Sequence, residues 1–167
     1  RFYGDGMVVR TLNIAVGTLF LVALTCLPVQ ACFGPKLFVG AGQGVSGEAL
    51  FALVTLYVQE KTGVESTRVD IETGQDPLTL LSGEKADLVF VLSETHHEAV
   101  FEIAGLPRLV TGKRPLEDLQ FTTVLPAIKK LNRLLKRADV ELIMSRMEAG
   151  DSALAAARKF LMELRWI

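Results

Sequence analysis

Successive runs of apolar and polar residues between positions 36 and 92 alternate between strand and helix periodicity. Apolar residues recur at helical spacing from 46 to 62, and Gly63 stands where a helix C-cap is expected. The nearly continuous apolar run at 86–92 is typical of a strand buried on both faces of a parallel sheet. In chain order the pattern predicts a strand at 36–40, a helix at 46–62, a strand at 64–72, a short helix at 76–83 and a strand at 86–92.

The last third of the chain predicts three amphipathic helices, with Thr123, Asp139 and Asp151 as N-caps. Between the two regions, residues 93–122 contain glycines and prolines and predict a loop with one strand at 108–111. We therefore expect an α/β fold: a mainly parallel sheet with helices on both faces and a C-terminal helical segment. The predicted buried stripes are Leu125, Ile128, Leu131 and Leu135, then Val140, Ile143, Met144 and Met147, then Leu154, Ala157, Leu161 and Leu164.

The start of the chain has the pattern of an export signal. Arg10 precedes an apolar stretch at 12–27, which is short for a membrane span of about 20 residues, and small residues at Val29 and Ala31 suit a signal peptidase. We expect residues 1–31 to be upstream residues and a signal peptide, residues 32–167 to be one exported domain, and no second apolar segment to span a bilayer.

Cleavage after Ala31 would remove Cys26 and leave Cys32 as the first mature residue. Because the sequence around Cys32 resembles a lipobox, lipidation of Cys32 is one interpretation; plain secretion and an uncleaved membrane anchor are the alternatives. The expected location is the periplasm, free or as a membrane-anchored lipoprotein, with membrane contact only through the signal or the lipid.

Charge excludes one class of partner. The formal net charge is -1 and the sequence pI is about 6.2, so no basic excess exists to neutralise phosphates. We do not expect nucleic acid as a partner.

Short motifs resemble the type 2 periplasmic solute-binding proteins. The opening of that family is similar to LFVG at 37–40, QEKTG at 59–63 and LLSGEKADL at 80–88. The C-terminal stretches at 128–132 and 157–161 resemble the glycine betaine and osmoprotectant branch, whereas TGQ at 73–75 and the run at 86–99 resemble the tungstate and molybdate branch.

The resemblance implies a binding protein for a small polar solute or oxyanion, served by an ABC transporter permease, without a cofactor and without catalysis. Members of this family have two lobes, but the insert that would form the second lobe is here only about 30 residues long. The chain is therefore expected to be a single lobe, and a homodimer could supply the missing wall of the cleft.

Candidate ligand-binding residues lie in the loops after the three predicted parallel strands, because ligands meet open parallel sheets at the carboxyl ends of strands. The glycines before the first long helix expose N–H groups that favour an anion, although they are also what a tight turn requires. Asp76 and Glu94 would repel an anion, and the loops offer no Trp or Tyr for an aromatic cage. The candidates are Gly42, Gln43, Gly44, Ser46, Gly74, Gln75, Ser93 and Thr95.

Other chemistries have weaker support. Residues 42–47 spell GxGxxG, but Asp70 and Glu72 follow later than the ~20 residues expected of a dinucleotide site. His96 and His97 are adjacent, point in different directions and do not predict a metal site. Ser46 and Ser93 have no His and Asp constellation for a hydrolase. The alternative to solute binding is a scaffold or interaction protein that kept the lobe and lost the ligand.

Overall fold

The computed structural model describes residues 34–92 and 96–167. The predicted signal peptide and Cys32 lie outside the described residues, as do Ser93 and Thr95. In chain order the elements are β1 (Leu37–Ala41), α1 (Val45–Thr62), β2 (Ser66–Asp70), α2 (Leu78–Ser82), β3 (Leu88–Val91), β4 (Ala99–Phe101), β5 (Arg108–Thr111), α3 (Arg114–Glu117), a 3-10 turn (Leu119–Phe121), α4 (Val124–Leu134), α5 (Arg137–Glu148) and α6 (Ala153–Glu163).

The sheet has the strand order β2-β1-β3-β5-β4. Strands β2, β1 and β3 are parallel, whereas β5 is antiparallel to both of its neighbours, β3 and β4. The α/β class and the βαβαβ start are confirmed, and the sheet is mixed: β5 is antiparallel, whereas the other four strands run in the same direction. Strand β5 runs backward since only residues 102–107 join it to β4, a link too short for a parallel crossover.

Helix α1 is buried along most of its length. It ends at Gly63, which adopts the left-handed conformation and donates its N–H to the Gln59 carbonyl at 2.8 Å. Strand β1 lies against one side of α1, and α4, α5 and α6 pack around the rest. A helix that is apolar on most sides is stable only in such surroundings. Its buried residues are Gly47, Ala49, Leu50, Ala52, Leu53, Val54, Leu56, Tyr57 and Val58.

The two faces of the sheet are covered unequally. Because side chains alternate along a strand, Leu88 and Phe90 of β3 join the large core with α1 and α4–α6, which we call the thick face. Val89 and Val91 point the other way and form a small cluster with Leu80 of α2, on what we call the thin face. Helices therefore lie on both faces, as expected, but the thin face carries only the short α2 among the described elements.

The predicted N-caps of the C-terminal helices are partly wrong. Thr123 occupies the N-cap position of α4, as expected, although its side chain makes no cap hydrogen bond, whereas α5 begins after Lys136 and α6 after Ser152. Asp139 instead occupies the third helical position and accepts the Lys136 N–H at 2.7 Å, which is the reciprocal half of a capping box. Asp151 forms an ion pair with Lys159 at 2.8 Å.

Helix α6 buries a slightly rotated face compared with the predicted stripe. Ala157 and Leu161 are fully buried, but Leu154 and Leu164 are 54% and 43% exposed. Phe160 takes a core position and meets Trp166 edge to face, with ring centroids 5.7 Å apart. Within residues 34–92 and 96–167, no helix has both the length and the hydropathy to cross a bilayer.

We predict that Leu161→Ala lowers the free energy of unfolding by ~2–5 kcal/mol, the range for truncating a fully buried leucine. The control is Leu154→Ala on the same helix, where the half-exposed side chain should matter by less than ~0.5 kcal/mol. Urea denaturation of the two variants measures both values. Equal effects would contradict the packing of α6.

Candidate functional site

The connections of β1 and β2 create a topological switch point at the carboxyl end of the sheet. After β1 the chain forms α1 on the thick face and returns to the sheet as β2, on one side of β1. After β2 it forms α2 on the thin face and returns as β3, on the other side of β1. In open α/β sheets, ligands bind in the crevice outside the carboxyl ends of strands at such a point. The loop of residues 42–44, called here the glycine loop, lies at this position.

Two glycines around this loop are required by the turn itself. Gly44 has a φ of 114°, which side-chain-bearing residues rarely adopt, and a Cβ on Gly47 would lie 2.7 Å from the Gly42 carbonyl oxygen. A Cβ on Gly42 would meet no heavy atom within 4 Å. The glycine loop is therefore tightly folded against the first turn of α1, and the space beside Gly42 is open.

Helix α1 begins at a glycine, which supplies no side-chain cap for its first N–H groups. Gly44 is the N-cap residue and has no side chain to cap the helix, so among the described residues no N-cap side chain accepts from the N–H groups of Val45, Ser46 and Gly47. Ser46 is half-buried and Gln43 is exposed. This arrangement, at the positive end of a long helix, suits a carboxylate or oxyanion.

Arg68 of β2 is an important residue of this edge that the sequence prediction missed. Its guanidinium forms ion pairs with Glu48 at 2.8 Å and Asp70 at 2.6 Å and donates to the Gly42 carbonyl at 3.2 Å. Partial burial acts to lower the pKa of Arg68, but hydrogen bonds and charges of Asp70 and Glu48 raise it on balance. Arg68 thus stays charged, holds the glycine loop and neutralises the acid in the first turn of α1.

Gly74 and Gln75 form a tight turn after β2. Gly74 has a φ of 85°, and the Gln75 side-chain oxygen accepts the Glu72 N–H at 3.1 Å. Because Ala41 pairs with Asp70 in the β1–β2 register, this turn follows β2 at the same edge of the sheet as the glycine loop. The acceptor oxygen of Gln75 is used within the turn, which leaves its amide N–H groups for a ligand.

Asp76 belongs to a different surface. Its Oδ1 accepts the Leu78 N–H at 3.0 Å at the start of α2, and its side chain lines a groove of about 1170 Å³. We call this the α2 groove. Its walls are α2, the turn that leads into β3, and α3. The lining residues are Asp76, Leu78, Thr79, Leu81, Ser82, Glu84, Ala86, Asp87, His97, Thr111, Gly112, Lys113, Arg114, Leu116, Glu117 and Asp118.

A buried carboxylate closes one end of the α2 groove. Asp87 is 6% exposed, accepts the Phe38 N–H at 2.7 Å and pairs with Nε of Arg114 at 3.2 Å. Arg114 also donates to the Lys36 carbonyl and lies over the ring of Phe121, 4.7 Å from its centroid. Asp87 and Arg114 therefore tie the start of β1, the start of β3 and α3 together at the amino edge of the parallel strands.

Burial raises the pKa of Asp87, although the Phe38 N–H and the Arg114 charge act in the opposite direction. The ionised carboxylate is therefore less favourable in the folded protein than in the unfolded chain. Such a group serves to orient its neighbours more than to stabilise the domain at neutral pH.

The adjacent histidines are exposed, and His97 lines the α2 groove. Across residues 34–92 and 96–167, no group of three or more His, Cys, Asp or Glu side chains could hold a metal ion.

Comparisons of the chain with protein-family models, curated proteins and solved structures found no match. The chemistry available at the carboxyl edge therefore has to be inferred from its own backbone and side chains.

We predict that acid stabilises the wild-type protein relative to Asp87→Asn. Because the pKa of Asp87 is raised on folding, its favourable contribution is complete below the unfolded pKa of about 3.9 and is lost as pH rises through the folded pKa. Urea denaturation at several pH values from about 7 to 4 measures the difference in unfolding free energy between the two proteins. Glu65→Gln, at an exposed position, is the control. If acidification lowered the unfolding free energy of wild type relative to Asp87→Asn, the expected sign would be wrong.

Proposed function

We propose that this chain is an exported, non-catalytic binding protein with a single lobe of the type 2 periplasmic-binding-protein fold. Its ligand is a small polar solute or oxyanion held at the glycine loop by Gly42, Gln43, Gly44 and Ser46. The neighbouring loops contribute through Gly74, Gln75, Ser93 and Thr95. The observation that carries the proposal is the switch point, which puts the uncapped start of α1 in the crevice where α/β sheets bind ligands.

Part of the negative charge near the glycine loop is compensated, because Arg68 is shared between Glu48 and Asp70. Glu48, the acid in the first turn of α1, is paired with Arg68, which removes much of its repulsion. Asp76 accepts the Leu78 N–H at the start of α2 and lines the α2 groove, so one of the two carboxylates that argue against an anion in the sequence is used elsewhere; the other, Glu94, lies outside the described residues. A carboxylate or oxyanion at the N–H groups of Val45, Ser46 and Gly47 would complete the α1 N-terminus.

A single lobe covers a ligand from one side, whereas strong solute binding usually buries most of the ligand surface. We therefore expect weak affinity unless a second wall is supplied by an ABC transporter permease or by a second copy of the chain. Export and lipidation of Cys32 belong to the same proposal, since both place the protein beside a membrane transporter.

The alternative is a scaffold that has kept the lobe without its ligand. The geometry of the turn favours this alternative, because the turn needs glycine at positions 44 and 47 whether or not a ligand binds. It predicts that nothing small binds at the glycine loop.

The test is a thermal-shift screen of amino acids, betaines and oxyanions at millimolar concentration on wild type and on Gly42→Trp. A side chain at Gly42 would begin in open space and needs no left-handed backbone, whereas the φ of 114° makes Gly44 unsuitable. Gly34→Trp is the matched control, since Gly34 also has open space and precedes β1. A compound at 100 times its dissociation constant stabilises by ~2.7 kcal/mol.

The proposal predicts a shift for at least one anionic or zwitterionic compound in wild type and Gly34→Trp that is lost in Gly42→Trp. A shift that survives in Gly42→Trp would move the site away from the glycine loop. Failure of every compound to stabilise wild type would favour the scaffold.

A further inference from the structure

We propose that two copies of this chain associate by placing the basic face of α4 from each copy in the α2 groove of the other. The α2 groove does not include the glycine loop, so this inference is independent of the proposed solute site. It assigns an occupant to a surface that solute binding leaves unused.

The α2 groove has apolar side chains that a protein partner could cover. Leu78 and Leu81 of α2 are half-buried, and Leu116 of α3 is 64% exposed across from them. Leucines grouped in a concave surface of this size are typical of contact sites, in contrast to single leucines scattered over a surface.

The charge of the α2 groove is negative. Arg114 is paired with Asp87, so Lys113 is the remaining cation that lines the groove, against four carboxylates. Among the described residues, neither Lys113 nor any of these carboxylates belongs to an ion pair. These four are Asp76, Glu84, Glu117 and Asp118. The surface that fits this groove should therefore combine basic side chains with an apolar one.

The exposed face of α4 has that combination. Lys130 and Arg133 are exposed and belong to no ion pair in the described part of the chain, and Leu134, 38% exposed, lies one helical turn after Lys130. We call these three residues the α4 ridge. A helix face that contacts only solvent does not need a leucine at position 134, whereas the leucines of the α2 groove could cover the Leu134 side chain.

The helix of the α4 ridge and the α2 groove both reach the segment just before the edge strand β4. Lys129 of α4 pairs with Glu98 just before β4 at 3.4 Å, and the preceding residue, His97, lines the α2 groove. A twofold axis near this edge can therefore bring each ridge to the partner's groove at once. Such a closed, self-complementary contact gives a dimer rather than a chain of copies.

Sedimentation of the full chain tests the dimer. Because exposed ion pairs are weak and screened by salt, association should be stronger at about 0.02 M salt than at about 0.5 M. The groove variant Glu84→Lys/Glu117→Lys and the ridge variant Lys130→Glu/Arg133→Glu should each weaken dimerisation by roughly tenfold or more. Glu65→Lys/Glu72→Lys, the same charge change on exposed residues outside the α2 groove, is the matched control and should dimerise like wild type apart from any net-charge effect.

Charge reversal on both surfaces distinguishes this contact from a general charge effect. An equal mixture of the groove and ridge variants should form heterodimers, and the variant with all four substitutions should dimerise again. Circular dichroism establishes that each variant is folded, and the mixture provides the rescue test if the fourfold variant does not fold. A monomeric wild type at low salt, reversals no stronger than the control, or a folded mixture without heterodimers would each overturn the proposal.

Discussion

The burial of α1 is the constraint on which the rest of this structure depends. An 18-residue helix with apolar side chains around most of its circumference must be covered on several sides, by β1 and by the three C-terminal helices. That requirement concentrates the helices on the thick face and leaves the thin face to the five-residue α2. The glycine loop and the α2 groove both follow from this arrangement, one at the start of α1 and the other on the face that α1 does not cover.

The sequence predicts the fold well where the signal is local. The apolar run of β3, the helical spacing of α1 and the left-handed Gly63 are all found as expected. The sequence does not predict β4, whose formation depends on pairing with β5. A strand of three residues is too short to show a period of two. The sequence also predicts Leu154 and Leu164 as buried although both are exposed, because only the packed structure shows which side of α6 faces the core.

The candidate site could be predicted only in part. Strand order and loop position placed the glycine loop at the carboxyl edge, because these follow from chain connectivity. The partners of Arg68 and Asp87 could not be foreseen, since Asp87 accepts the N–H of Phe38, 49 residues away, and Arg68 donates to Gly42. The sequence did contain one signal for these partners, because Arg68 and Asp87 are charged residues within predicted strands. A charge is buried at a strand position only when a partner lies nearby.

The proposed binding of an anionic group at the start of α1 is tested by an amide NMR titration of the protein with sulfate and with glycine betaine. We predict that the N–H resonances of Val45, Ser46 and Gly47 shift first and saturate together with at least one compound, because the N-cap residue Gly44 has no side chain to cap them. Shifts confined to residues of the α2 groove, or no saturable shift at the start of α1, would contradict it.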